Sequence, residues 1–183
     1  MDLATQLVTI VGVLVGALST YVASYLVERG KDRRGLALRW DERKLDTYVS
    51  YVAHVRDVIY AAVLLFESRE GLRTIDKTID QLTLGLIDAE RSRALLFEQL
   101  VLLGGAEVVD AGHELNRAVL AIDWRARELT DEDLPGWRAL HVRAFQLINE
   151  FHNAARSDLG VRGELAADHS GLTLNLPSAR QDS

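Results

Sequence analysis

The chain of 183 residues has no cysteine, two prolines and one methionine, and only 7% of it is aromatic. Without cysteine there is no disulfide framework, thiolate zinc site, iron–sulfur cluster or cysteine nucleophile. Two prolines and thirteen glycines are too few for a turn-rich all-β protein. Low-complexity tracts are absent, and a hydrophobic fraction of 48% is too high for a disordered chain. The length suits one domain of ordinary size.

What is present is unevenly distributed. The net charge is −6, and residues 3–27 carry no charged side chain at all. Residues 28–44 hold seven bases (Arg29, Lys31, Arg33, Arg34, Arg39, Arg43, Lys44) against four acids. From residue 45 onward acids outnumber bases, 22 to 14. An apolar leader, a basic collar and an acidic body follow one another. An acidic body argues against nucleic acid as the partner, because phosphate contacts need concentrated positive charge.

The leader reads as a membrane span. Twenty-five helical residues reach about 37 Å, enough to cross a hydrocarbon core of ~30 Å with some tilt. Tyr21 and Tyr25, one turn apart, suit an aromatic belt at the interface. The rival reading, a cleaved signal peptide, wants a basic n-region and a shorter apolar core, whereas this chain starts Met1-Asp2. The basic residues nearest the span lie on its C-terminal side, so the positive-inside rule places the body in the cytoplasm, at the inner face of the cell membrane. Arg29, Lys31, Arg33, Arg34, Arg39, Arg43 and Lys44 are the residues expected at the membrane surface. A generic stop-transfer flank explains the same bases without any specific lipid contact.

One stripe of the span is made of small residues. Thr5, Thr9, Gly12, Gly16, Ser19 and Ala23 are spaced 4, 3, 4, 3, 4. Helices in lipid associate through close backbone approach, which small side chains permit. The stripe is therefore the expected oligomerisation face, although small residues are common in any bilayer helix.

Beyond the collar the periodicity is helical throughout. Leu45, Val52, Ile59 and Phe66 repeat every seven residues, with Tyr48, Val55 and Ala62 between them. Gly71 punctuates the chain. A second stripe runs Leu72, Ile75, Ile79, Leu82, Leu86, Ala89, Arg93, Leu96, Leu100 and Leu103, and Gly104-Gly105 ends it. The third is Val108, Ala111, Leu115, Val119, Ile122, Ala126 and Leu129. Residues 130–136, Thr-Asp-Glu-Asp-Leu-Pro-Gly, form a helix-start signal. The fourth stripe is Trp137, Leu140, Ala144, Leu147/Ile148, Phe151, Ala155 and Leu159. The expected fold is all-α, an N-terminal transmembrane helix followed by an antiparallel cytoplasmic four-helix bundle. Its divisions are 1–27 (span), 28–44 (collar), 45–160 (bundle) and 161–183 (flexible tail). Coiled-coil pairing between chains is the alternative use of the stripes, disfavoured by the short connections.

Chemistry is thin. A di-metal bundle site needs a Glu on two helices and Glu-x-x-His on two more. The nearest approach is Asp110-x-x-His113 with Glu107 and Glu114 close by, and there is no second copy. His54, His141 and His152 flank apolar stripes and read as core-edge residues. Gly104-Gly105 lacks the Lys-Ser/Thr and the preceding strand of a phosphate loop. No catalytic residue, metal or cofactor is expected. Arg93 stands out because a guanidinium inside an apolar stripe must find a partner or reach solvent. Asp57, Glu67, Asp110 and Glu114 are its candidate partners; a buried polar position that sets register or oligomer state is one reading, and snorkelling past the core edge is the plainer alternative.

The block Arg39-Trp40-Asp41-Glu42-Arg43-Lys44-Leu45-Asp46-Thr47-Tyr48, after a span and a basic collar, resembles a set of uncharacterised actinobacterial single-pass membrane proteins that share R-W-x-x-[RK]-[RK]-L-x-x-Y. The resemblance covers roughly residues 1–65. It implies the same topology and brings no catalytic residues with it. The expected role is a non-enzymatic, membrane-tethered interaction or scaffold module, self-associating through the span and open to a cytoplasmic protein partner. The alternative is an oligomeric membrane effector or pore-forming, toxin- or holin-like protein lined by Thr5, Thr9 and Ser19.

Overall fold

A computed structural model describes residues 39–161 and 163. The small-residue stripe from Thr5 to Ala23, the first four collar bases (Arg29, Lys31, Arg33, Arg34) and nearly all of the 161–183 tail lie outside the described residues. The chain divides into two compact units, Met1–Arg43 and Lys44–Ser183, and the packing below belongs to the second. Among the described residues there are four helices and no strand: α1 (Arg39–Arg69), α2 (Ile79–Leu103), α3 (Ala106–Ala126) and α4 (Leu134–Asp158).

The helices alternate in direction. The start of α1 meets the end of α4 through Lys44 and Asp158, and its end meets the start of α4 through Phe66 and Trp137. Tyr48 lies beside Gly104 at the end of α2. The two-residue connection at 104–105 and the seven residues at 127–133 then return the chain antiparallel each time.

α1 is the helix around which the others pack. Tyr48, Val52, Val55, Ile59, Ala62 and Phe66 are buried, as the seven-residue repeat requires, while Leu45 is exposed. A further column, Tyr51, Val58 and Leu65, is equally buried. Tyr51 alone touches Phe97 of α2, Phe151 of α4 and Gly112 of α3. A helix facing one neighbour needs one stripe; one that faces three buries a wider arc. By length and composition α1 could also cross a membrane, but half of its most apolar window is packed inside the bundle. Its hydrophobicity is explained by core packing, where each large side chain removed from water contributes about 1.5–3 kcal/mol.

Helix boundaries follow local chemistry. The second stripe begins too early in the sequence reading: α2 starts at Ile79, and Leu72 is exposed in the turn before it. Thr78 and Gln81 form a capping box that satisfies two orphan N–H groups, which sets the start. α4 starts where the acidic signal places it. Asp133 accepts from the Gly136 N–H at 2.9 Å, and Pro135 sits in the first turn.

Three helices end in Schellman motifs, with paired backbone bonds closing the last turn. Gly71 (φ 65°) and Gly160 (φ 70°) supply the left-handed residue after α1 and α4. After α3 that position is Glu128, at φ 61°. A non-glycine residue there costs on the order of 1 kcal/mol. α3 therefore stops at Ala126, and Leu129, expected on its stripe, is exposed. Gly104 and Gly105 work differently, since both are extended (φ −77° and −68°). They are glycine because a Cβ on Gly104 would stand 2.9 Å from the Leu100 carbonyl oxygen, and one on Gly105 2.5 Å from Asp158 Oδ1.

Candidate functional site

One cluster of polar side chains inside the bundle lies between α1, α2 and α3. Arg93, the break in the α2 stripe, is buried. Its Nε and Nη2 donate to the two carboxylate oxygens of Glu90 at 2.9 and 2.6 Å, one turn earlier on the same helix. Its Nη1 donates across to Asn116 Oδ1 on α3. The same oxygen accepts from the Tyr51 hydroxyl of α1 at 2.7 Å, and that hydroxyl lies 3.2 Å from the Gly112 carbonyl. Burial works against the Arg93 charge, but the Glu90 carboxylate more than offsets it and the guanidinium is held above its ordinary range. Further along α3, buried Asp123 pairs with Arg127 at 2.8 Å; burial raises its carboxyl in spite of that neighbour.

None of the four acids considered in the sequence is the partner of Arg93. Glu67 pairs with Arg73 and Glu114 with Arg117. Snorkelling is also excluded, because only 9% of the Arg93 side chain is exposed. The Glu90-x-x-Arg93 spacing was visible as an i, i+3 ion pair. Asn116 and Tyr51 carried no such signal, since their meeting depends on how three helices cross. Gly112 makes that crossing close, with a Cβ there standing 2.8 Å from Phe97 Cε2.

A second cluster joins the opposite helix ends. Asp158, at the end of α4, accepts from Lys44 Nζ (2.8 Å) and from the Tyr48 hydroxyl (2.6 Å), and its carboxylate also meets the Gly105 backbone N–H at the start of α3. Burial pushes its carboxyl up, but these donors prevail and hold it below the usual range. Lys44, expected at the membrane surface, thus has its ammonium on Asp158. Arg39 and Arg43 lie exposed in the first turns of α1. Beside Asp158 an open cleft of about 840 Å³ is lined by Glu107, Asn153, Ser157 and Val161 among others. Among the described residues its lining includes one carboxylate, Glu107, and no histidine.

The histidines are divided by their surroundings. His54 Nδ1 bonds the Ser50 carbonyl (2.9 Å), and His113 packs edge-on against Phe97. His141, placed at the core edge by the sequence, is fully buried against Trp137. Its Nδ1 donates to the Trp137 carbonyl oxygen at 2.8 Å, and Nε2 has no partner. Burial lowers its basicity; burial and then Arg56 lower that of His152. Both histidines bind protons more readily unfolded, near pH 6.5, than folded. Bundle stability is therefore expected to be level above about pH 7 and to fall as pH drops through 6.5. Thermal unfolding of the whole chain between pH 7.5 and 5 checks this, and His141→Leu should flatten the dependence. An unfolding midpoint that stays constant or rises on acidification would contradict it.

Among the described residues no three His, Asp or Glu side chains are placed to share a metal ion. Asp110 and His113 do not converge with Glu107 and Glu114 on a site. The clusters join α1 to α2 and α3 at one level and α1 to α3 and α4 at another. Comparison with protein-family models, with curated proteins and with solved structures finds no match.

Proposed function

We propose that the chain is a membrane-tethered helical interaction module, without catalytic activity, that associates with itself through its apolar N-terminal segment. The observation that carries the reading is the uncharged run 3–27 followed by a basic collar and then by an acidic helical body. The likeness of the Arg39–Tyr48 block to single-pass actinobacterial proteins supports the same reading. On the positive-inside rule the body faces the cytoplasm, with the N-terminus outside. Arg93, Glu90, Asn116 and Tyr51 pair with one another, as do Lys44, Tyr48 and Asp158, which suits a rigid platform for a protein partner better than a reaction centre.

The test is the mass of the full-length protein in detergent by light scattering, with and without Gly12→Ile/Gly16→Ile. β-Branched bulk on the small-residue stripe is expected to shift the species toward monomer, since it prevents close backbone approach. Unchanged assembly would remove the stripe from the account. The second reading, a pore lined by Thr5, Thr9 and Ser19, is favoured by the polar atoms on that stripe. Cells that keep their membrane potential while overproducing the protein would count against it.

A further inference from the structure

α2 is apolar on two opposite faces. Leu82, Leu86, Phe97 and Leu100 are buried in the bundle. On the far side Leu84, Ile87, Leu95 and Leu102 are exposed, Leu102 to 84%. Arg91 and Glu98 sit in the middle of this outer face and are also exposed. Neither makes an ion pair within the described residues. Seven residues separate them, about 10.5 Å along the axis, and the contact that joins Arg143 to Glu150 at the same spacing on α4 is not made here.

From this pattern we propose that the outer face of α2 is a dimerisation surface that pairs antiparallel with α2 of a second copy of the chain. Four positions of the face are matched in pairs about one point. With a two-fold axis between Ala94 and Leu95, Arg91 of one copy is level with Glu98 of the other, and the reverse pair forms by symmetry. Ile87 is likewise level with Leu102. An isologous interface demands this self-complementarity, residue i meeting j and j meeting i. A parallel pairing would set Arg91 against Arg91 and Glu98 against Glu98. Lipid is a poor occupant, because both charges would enter hydrocarbon at the centre of the face without partners. The surface belongs to the bundle and does not depend on the N-terminal segment.

The chain has no cysteine, so Leu95→Cys places a single thiol beside the proposed axis. Tyr60→Cys, at an exposed position of α1, is the control. Both are made in full-length protein carrying Gly12→Ile/Gly16→Ile, which separates this contact from association through the span. Oxidation is expected to crosslink Leu95→Cys and not Tyr60→Cys. Adding Arg91→Glu or Glu98→Arg singly should lower the crosslinked fraction by about fivefold or more, as like charges face each other. The double swap Arg91→Glu/Glu98→Arg should restore it. Circular dichroism checks that these exposed substitutions leave the helices intact. Equal crosslinking at both positions, no loss in the single reversals, or no restoration by the swap would overturn the proposal. So would the absence of crosslinking together with quenching of a Leu95→Cys fluorophore by nitroxide lipids in reconstituted vesicles, which would give the face to the bilayer.

Discussion

Arg93→Leu is expected to destabilise the bundle by about 3 kcal/mol, in spite of adding an apolar residue to an apolar stripe. The substitution leaves Glu90 without its bidentate partner and removes one of the two donors on Asn116 Oδ1. Breaking a buried pair on one side is costly because the remaining charge stays desolvated. Replacing both sides need not be. Arg93→Leu/Glu90→Leu should recover most of the loss, since an apolar replacement of the whole pair relieves the desolvation of both charges. Denaturant unfolding of the four proteins of this cycle measures the coupling directly. A single variant more stable than the parent would mean that the Arg93–Glu90 pair contributes no net stability to the bundle.

The second large effect is expected at the other end of the bundle. Trp137 is 1% exposed and stacks on Phe66 with ring centroids 4.1 Å apart. Phe66 in turn carries the Arg125 guanidinium 5.0 Å above its ring, and His141 meets the indole edge-on. Trp137→Ala empties the middle of this stack and should cost about 4 kcal/mol, through lost burial and the cavity left behind. Trp137→Phe keeps a ring against Phe66 and should lose only on the order of 1–2 kcal/mol. Similar unfolding midpoints for the two variants would show that the stack contributes little beyond apolar area.

The helical class and the number of body helices were legible because they rest on local rules. Periodicity near 3.6 residues, two glycines at left-handed positions and an acidic cap before Pro135 are properties of neighbouring residues. Where a boundary was misplaced, a local signal had been outweighed by a longer pattern. Leu72 and Ile75 continue the step of the α2 stripe, yet the Thr78–Gln81 box starts the helix after them. At Glu128 there was no signal to read, because the residue takes its positive φ from the termination of α3 around it.

The candidate site divides in the same way. That Arg93 was anomalous followed from its place in an apolar row, and Glu90 was readable from the i, i+3 spacing; its partners on other helices were not. Glu90 lies on the same helix, but Asn116, Tyr51 and Gly112 converge on it only once α1 and α3 are packed. The glycines at 104 and 105 show the same limit. The sequence suggested only a helix end, whereas in the structure a Cβ at 104 would meet the Leu100 carbonyl oxygen and one at 105 the Asp158 carboxylate.

By itself, then, the amino-acid sequence determined a body of four helices and an uncharged segment long enough to cross a bilayer, because hydrophobic period, capping and charge act within a few turns. Only the tertiary structure decided that α1 packs against all three other helices, that Arg93 is buried and paired rather than solvated, and that α2 keeps an apolar face outside the bundle. Those features depend on which helix faces which, and that is set by the packing of side chains far apart in the chain.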